Sequence, residues 1–123
     1  MSEDKKKILV IDDEFELLMA MKIRLKASGY DVTTTQDGIE GIGLIEQLKP
    51  DIVLLDFIMP NNDGLEICKR IKTNPRIKDI PVFMFTAAGE KNIEERIKEA
   101  GAQGHITKPF DTANLLTMIK KWL

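Results

Sequence analysis

The sequence contains a single cysteine, Cys68, in 123 residues. That excludes an internal disulfide and a cysteine-built metal cage, and a lone thiol of this kind is expected to be buried and inert. Long apolar runs are also missing; none approaches the roughly 18 residues that a membrane-spanning helix needs. The opening Met1-Ser2-Glu3-Asp4-Lys5 has no apolar core of a signal peptide. The expectation is a cytoplasmic protein, neither exported nor held in a membrane. Charge of one sign is scarce: 18 Lys and Arg stand against 20 Asp and Glu, a net charge of −2. Such a balance leaves no electrostatic footprint for direct nucleic-acid binding or for an anionic membrane, and Lys5-Lys6-Lys7 reads as a short solvated run. No linker, low-complexity stretch or internal repeat divides the chain. Its length suits one domain, residues 1–123, with a single core.

What is present is a strict alternation. Ile52-Val53-Leu54-Leu55 is a short apolar run rich in β-branched residues, the pattern of a strand buried on both faces of a parallel sheet, and it stops on Asp56. Lys7-Ile8-Leu9-Val10-Ile11 is a similar strand ending on Asp12-Asp13-Glu14. A helix is predicted over 14–28, with Asp13 as a candidate cap and Gly29 as its terminator. A second strand follows over 30–35, then a helix with Ile39, Ile42, Ile45 and Leu48 at helical spacing. After the third strand, Met59-Pro60 stops regular pairing and residues 61–64 read as a loop, with Asp63 as a cap. Leu65, Ile67, Cys68 and Ile71 mark a third helix. The fourth strand is placed at 81–85 and its helix at 91–100. A weaker fifth strand lies at 103–107, before a last helix that opens after Asp111 or Thr112 and buries Leu115, Ile119 and Trp122. Five strand–helix units in alternation imply a parallel sheet with helices on both faces, joined by right-handed crossovers.

In such a sheet all carboxyl ends share one edge, where open α/β sheets keep their ligands. That edge gathers Asp12, Asp13, Asp56, Thr86 and Lys108. Each residue alone has a plain structural account, as a turn, a cap or a solvated charge. Jointly they do not. At about 4 Å and an effective dielectric of about 20, each like-charged carboxylate pair costs on the order of 4 kcal/mol. A domain stable by roughly 5–15 kcal/mol rarely carries that for architecture alone. A divalent cation relieves the repulsion, and an all-oxygen set with few protein ligands suits Mg²⁺. A metal beside a carboxylate, a lysine and a hydroxyl is equipment for a phosphoryl group, and an Asp nucleophile would give an acyl phosphate.

These residues resemble the receiver domain of bacterial two-component response regulators. The resemblance covers residues 8–123. It is carried by Asp12-Asp13, Asp56 with Met59-Pro60 and Asp63-Gly64, Thr86-Ala87 and Lys108-Pro109. The spacing is 43 residues from Asp13 to Asp56, 30 to Thr86 and 22 to Lys108, close to that of stand-alone chemotaxis-type receivers. The resemblance implies a flavodoxin-like (βα)5 doubly wound sheet of strand order 2-1-3-4-5. It implies that Asp56 accepts a phosphoryl group from a sensor histidine kinase or a histidine phosphotransfer protein. It implies Mg²⁺ bound by Asp12, Asp13, Asp56 and the backbone carbonyl of Ile58, and phosphoryl oxygens gripped by Thr86 and Lys108. The Lys108-Pro109 peptide would be cis, a state that only about 5–6% of such bonds adopt in folded proteins. Phosphorylation would change a binding face made by the fourth helix, fifth strand and fifth helix, where a downstream protein target docks. Ile58 and Ala88 flank the site and would influence the lifetime of the phosphoryl group.

Where this family usually places Tyr or Phe as a rotamer switch, this sequence has His105. It reads either as a half-exposed strand histidine or as a switch that packs inward when Thr86 moves; an imidazole would make that switch pH-sensitive. The first helix is more apolar than packing requires. Leu18, Met21 and Leu25 suffice as the inward stripe, and Phe15, Met19 and Ile23 add a second stripe, with Leu17 on the other flank. Phe15, Leu17, Met19 and Ile23 are therefore candidates for docking the kinase, against the alternative of deep packing by neighbouring loops. Three other readings stay open. They are a degenerate receiver that only binds partners, a haloacid-dehalogenase-type phosphatase, and a flavodoxin-type electron carrier. The phosphatase class carries a second Asp where this chain has Ile58. The electron carrier needs a Ser/Thr/Gly phosphate loop where this chain has Asp12-Asp13-Glu14. The chain is expected to be a switch that assists its own phosphorylation and dephosphorylation, not an enzyme. Within these 123 residues no DNA-binding or catalytic output segment is expected after the receiver, and the sequence fits equally a stand-alone regulator or one domain of a longer polypeptide.

Overall fold

The computed structural model describes residues 5–60 and 62–123; Met1 to Asp4 and Asn61, which carried parts of the signal-peptide and loop readings, lie outside them. Five strands form one parallel sheet: β1 (Lys7–Ile11), β2 (Asp31–Thr35), β3 (Ile52–Asp56), β4 (Val82–Ala87) and β5 (Gly104–Lys108). Their order across the sheet is 2-1-3-4-5, the doubly wound arrangement expected. The helices are α1 (Phe15–Ala27), α2 (Gly38–Leu48), α3 (Gly64–Lys72), α4 (Ile93–Ala100) and α5 (Thr112–Trp122).

The sheet divides the core in two. Leu9, Ile11, Val53, Leu55 and Met84 point to one face and meet Ile45, Ile67, Ile71 and Ile97 from α2, α3 and α4. Ile8, Val10, Leu54, Phe83 and Phe85 point to the other and meet Leu18, Leu25, Leu115 and Ile119 from α1 and α5. Strand β3 lies at the centre and is buried along its whole length, which is why it reads as a continuous apolar run. Strand β5 is an edge strand with mostly half-buried residues, and its signal is correspondingly weaker.

Three helices begin on aspartate caps: Asp37, Asp63 and Asp111 accept from the backbone N–H of Ile39, Leu65 and Ala113. Helix α1 does not. Its cap is Glu14 rather than Asp13, and Asp12 Oδ1 accepts the Glu14 N–H at 2.9 Å because the chain leaves β1 with Asp12 turned inward. Gly29, at φ 97°, closes α1 in the left-handed region. The loop reading is corrected at Asn62–Asp63, which forms a two-residue antiparallel ladder with Ile58–Met59. Trp122, expected to be buried, is 45% exposed. It is the last residue of α5, and its ring meets that of Phe83 nearly edge-on, with centroids 5.1 Å apart. Ile39 is 49% exposed, because Gly38 and Gly41 take the inward positions of the first turn of α2.

Candidate functional site

Strands β1 and β3 are neighbours, with Ile11 opposite Leu55, so the residues that follow them arrive side by side. The carboxylates of Asp12, Asp13 and Asp56 each bring an oxygen within 4.8 Å of the others. Asp12 is fully buried and Asp56 is 6% exposed. Lys108, at the end of β5, reaches across to them. Its Nζ donates to Asp12 Oδ2 at 2.8 Å and to Glu14 Oε1 at 3.1 Å, and lies 3.5 Å from Asp56 Oδ1. Glu14, read from the sequence only as part of the acidic run, is thus a partner of the site lysine.

Burial is the largest influence on Asp56, and it raises the carboxyl. The charge of Asp12 and a hydrogen bond with Asp13 push the same way, while Lys108 pulls back, and the result is a carboxyl pushed up to about 7. At Lys108 burial works to lower the ammonium. The hydrogen bond and charge of Asp12, the charge of Asp56 and the bond to Glu14 outweigh it and hold Lys108 above its ordinary value. An acid that resists ionising beside a lysine that resists losing its proton is a site short of positive charge.

The backbone around Asp56 is fixed from two sides. Phe57 N–H donates to Phe85 of β4 at 2.9 Å, and Gly64 N–H donates to the Phe57 carbonyl at 3.0 Å. The N-terminus of α3 lies so close that a methyl at Gly64 would collide with the carbonyl oxygens of Asp56 and Phe57. The sequence presents Asp63-Gly64 as a turn; the need for an absent side chain comes from this close approach. Arg96 of α4 covers the Phe57 ring at 4.8 Å, a contact with no signal in the sequence. Ile58 pairs with Asp63 and turns its side chain outward, 63% exposed.

Thr86 is 2% exposed, and its Oγ1 lies 3.3 Å from Nδ1 of half-buried His105. The Lys108–Pro109 peptide is cis. The α1 residues separate. Phe15 and Met19 line a cleft against Thr35 to Asp37, and Leu17 lines another on the α5 side. Ile23 is 70% exposed and Phe15 57%.

The chain matches the family described as the response regulator receiver domain over residues 8–120. It belongs to that family. Among curated proteins, it is 40% identical over 119 residues to the DNA-binding dual master transcriptional regulator RpaA of Synechocystis. That match covers 95% of this chain and 48% of the relative, so this receiver domain spans about half the length of that protein. Among solved structures it resembles the chemotaxis protein CheY4 of Vibrio cholerae, with 28% identity, a TM-score of 0.90, and 97% and 99% of the two chains covered. It also resembles the receiver domain of sensor histidine kinase PA1611 from Pseudomonas aeruginosa, with 26% identity and a TM-score of 0.86, covering 96% and 97% of the two chains. That structure holds a magnesium ion coordinated in its active site cleft. Receiver domains interact with histidine kinases and with downstream effectors. Among the described residues, no helix of this receiver domain is long and apolar enough to cross a membrane.

Proposed function

We propose that Asp56 is the phosphoacceptor of a phosphorylation-controlled switch. The observation that carries this reading is the convergence of three carboxylates and Lys108 on one sheet edge, with the Asp56 carboxyl pushed up to about 7. The donor set fits a divalent cation: it is all oxygen, pre-assembled, and electrostatically uncomfortable without added positive charge. Asp12, Asp13 and Asp56 would hold Mg²⁺, with the Ile58 carbonyl as a further ligand. When bound, the ion supplies the charge that keeps Asp56 ionised and neutralises phosphoryl oxygens.

Ionised Asp56 attacks phosphorus through one carboxylate oxygen. The O–P bond forms as the N–P bond of a donor phosphohistidine breaks, and the imidazole leaves with the electron pair. Lys108 already lies 3.5 Å from Asp56 Oδ1, so its ammonium is at hand for the oxygens that arrive. Thr86 would turn its hydroxyl from His105 to a phosphoryl oxygen, freeing the imidazole to repack. This redistributes two conformations read on the face of α4, β5 and α5. The kinase or phosphotransfer protein would dock on α1 through Phe15, Leu17, Met19 and Ile23, and a downstream protein would take the α4–β5–α5 face. The chain acts as a switch that promotes its own phosphorylation and dephosphorylation, not as an enzyme turning over external substrates. The setting is cytoplasmic.

Intact mass after incubation with acetyl phosphate, with and without Mg²⁺ and beside Asp56→Asn, tests this reading. One added phosphoryl group that requires both Mg²⁺ and Asp56 is expected. No addition, or addition that survives Asp56→Asn, overturns it and leaves a receiver that acts through binding alone.

A further inference from the structure

On the flank of α1 away from Phe15 and Met19, the chain forms a cleft of about 430 Å³ between α1 and the segment after β5. One wall is Leu17, Ala20 and Met21; the other is Pro109 and Phe110. The second wall is anchored, because Phe110 stacks on Phe85 of β4 with centroids 5.1 Å apart and ring planes 11° from parallel. The volume falls in the range of small-ligand sites, about 300–1,000 Å³.

The charged groups around the cleft are unequally satisfied. At one end Glu14 is neutralised by Lys108 at 3.1 Å. Toward the other end stands Arg24, ten residues and roughly 15 Å further along the helix. No ion pair or side-chain hydrogen bond of Arg24 is found among the described residues. An anchored apolar slot with an uncommitted guanidinium calls for a compact apolar body carrying one anionic head. We propose that this cleft binds a small amphipathic organic anion of the aryl or acyl carboxylate class. Its carboxylate pairs with Arg24, and its body lies between Ala20 and Phe110. Because Lys108 lines the cleft and also bonds Asp12 and lies 3.5 Å from Asp56 Oδ1, a bound ligand would act directly on the phosphorylation chemistry of Asp56.

The test is a ¹H–¹⁵N NMR titration of the whole protein with naphthalene-1-acetate and with its neutral amide, repeated on Arg24→Gln and Ala20→Phe. Neither residue belongs to the phosphorylation site, and unperturbed spectra of the free variants establish that each folds. Saturable shifts confined to 14–24 and 108–112 are expected, with the anion bound about tenfold more tightly than the amide. Arg24→Gln should bring the anion down to the affinity of the amide, and Ala20→Phe should abolish both. Equal affinity for the two probes overturns the proposal, as do shifts centred on Phe15 and Ile23 or an anion affinity unchanged in Arg24→Gln. Shifts at 14–24 that depend on protein concentration without any probe also overturn it, since a second copy would then occupy the cleft.

Discussion

At the scale of single residues, Asp56 ties stability to pH. Its carboxyl titrates near 7 in the folded chain against an ordinary value of 3.8, so the folded state holds the proton more tightly than the unfolded state does. The stability this confers is fully present below 3.8 and is lost as the pH rises through 7. Asp56→Asn removes the titration. It should raise the metal-free Tm at pH 8 by roughly 5–10 °C and flatten its dependence between pH 4 and 8, measured by calorimetry in EDTA. An unchanged pH profile would place the titration elsewhere. His105 offers a second test. A neutral imidazole can accept a hydrogen bond from Thr86 through Nδ1, whereas a protonated one can only donate, so its charge state decides how firmly the Thr86 hydroxyl is held. His105→Phe should flatten the pH dependence of activation, read as partner affinity of the phosphorylated protein; an identical profile would show that His105 has no part in the switch.

Among elements, α3 and α1 carry the sharper expectations. Gly64 lets the start of α3 lie against the Asp56 and Phe57 carbonyls, so Gly64→Ala should cost about 1–3 kcal/mol in denaturant unfolding and weaken Mg²⁺ binding with it. Loss of stability with Mg²⁺ affinity intact would mean that the helix start does not position Asp56. Met19→Glu with Ile23→Glu should slow phosphoryl transfer from the kinase several-fold while phosphorylation by acetyl phosphate proceeds at the normal rate; equal slowing of both would exclude a docking role. Buried strands and two helix starts were legible in the sequence, because β3 is covered on both faces and Asp63 and Asp111 stand at true helix starts. The carboxylate cluster was legible for the same reason, since parallel strands must bring their ends to one edge. Three features were not. Trp122 has helical spacing from Ile119, but spacing cannot reveal that the helix there has passed beyond the core. The Glu14 bond to Lys108 and the Arg96 contact on Phe57 join residues from distant parts of the chain, and neither has a local pattern.

For the molecule as a whole, cation binding and folding are linked through the carboxylate cluster. At a Mg²⁺ concentration of about 100 times its Kd, binding should add about 2.7 kcal/mol, or roughly 10 °C in Tm. The gain should grow from pH 5 to pH 8, because the ion and the proton compete for Asp56, and it should be much smaller in Asp56→Asn. A gain independent of pH would separate the ion from Asp56. The single thiol has a different use. Cys68 is buried, donates to the Ala100 carbonyl at 3.4 Å, and is pushed up to about 11 by burial. At neutral pH it therefore presents almost no thiolate to a maleimide. The native chain is a silent background for site-directed labelling. One cysteine introduced at Phe15, Ile58 or Glu94 can carry a fluorophore or spin label without first removing another. Movement at the α1 flank, the Asp56 loop or α4 then becomes observable one site at a time.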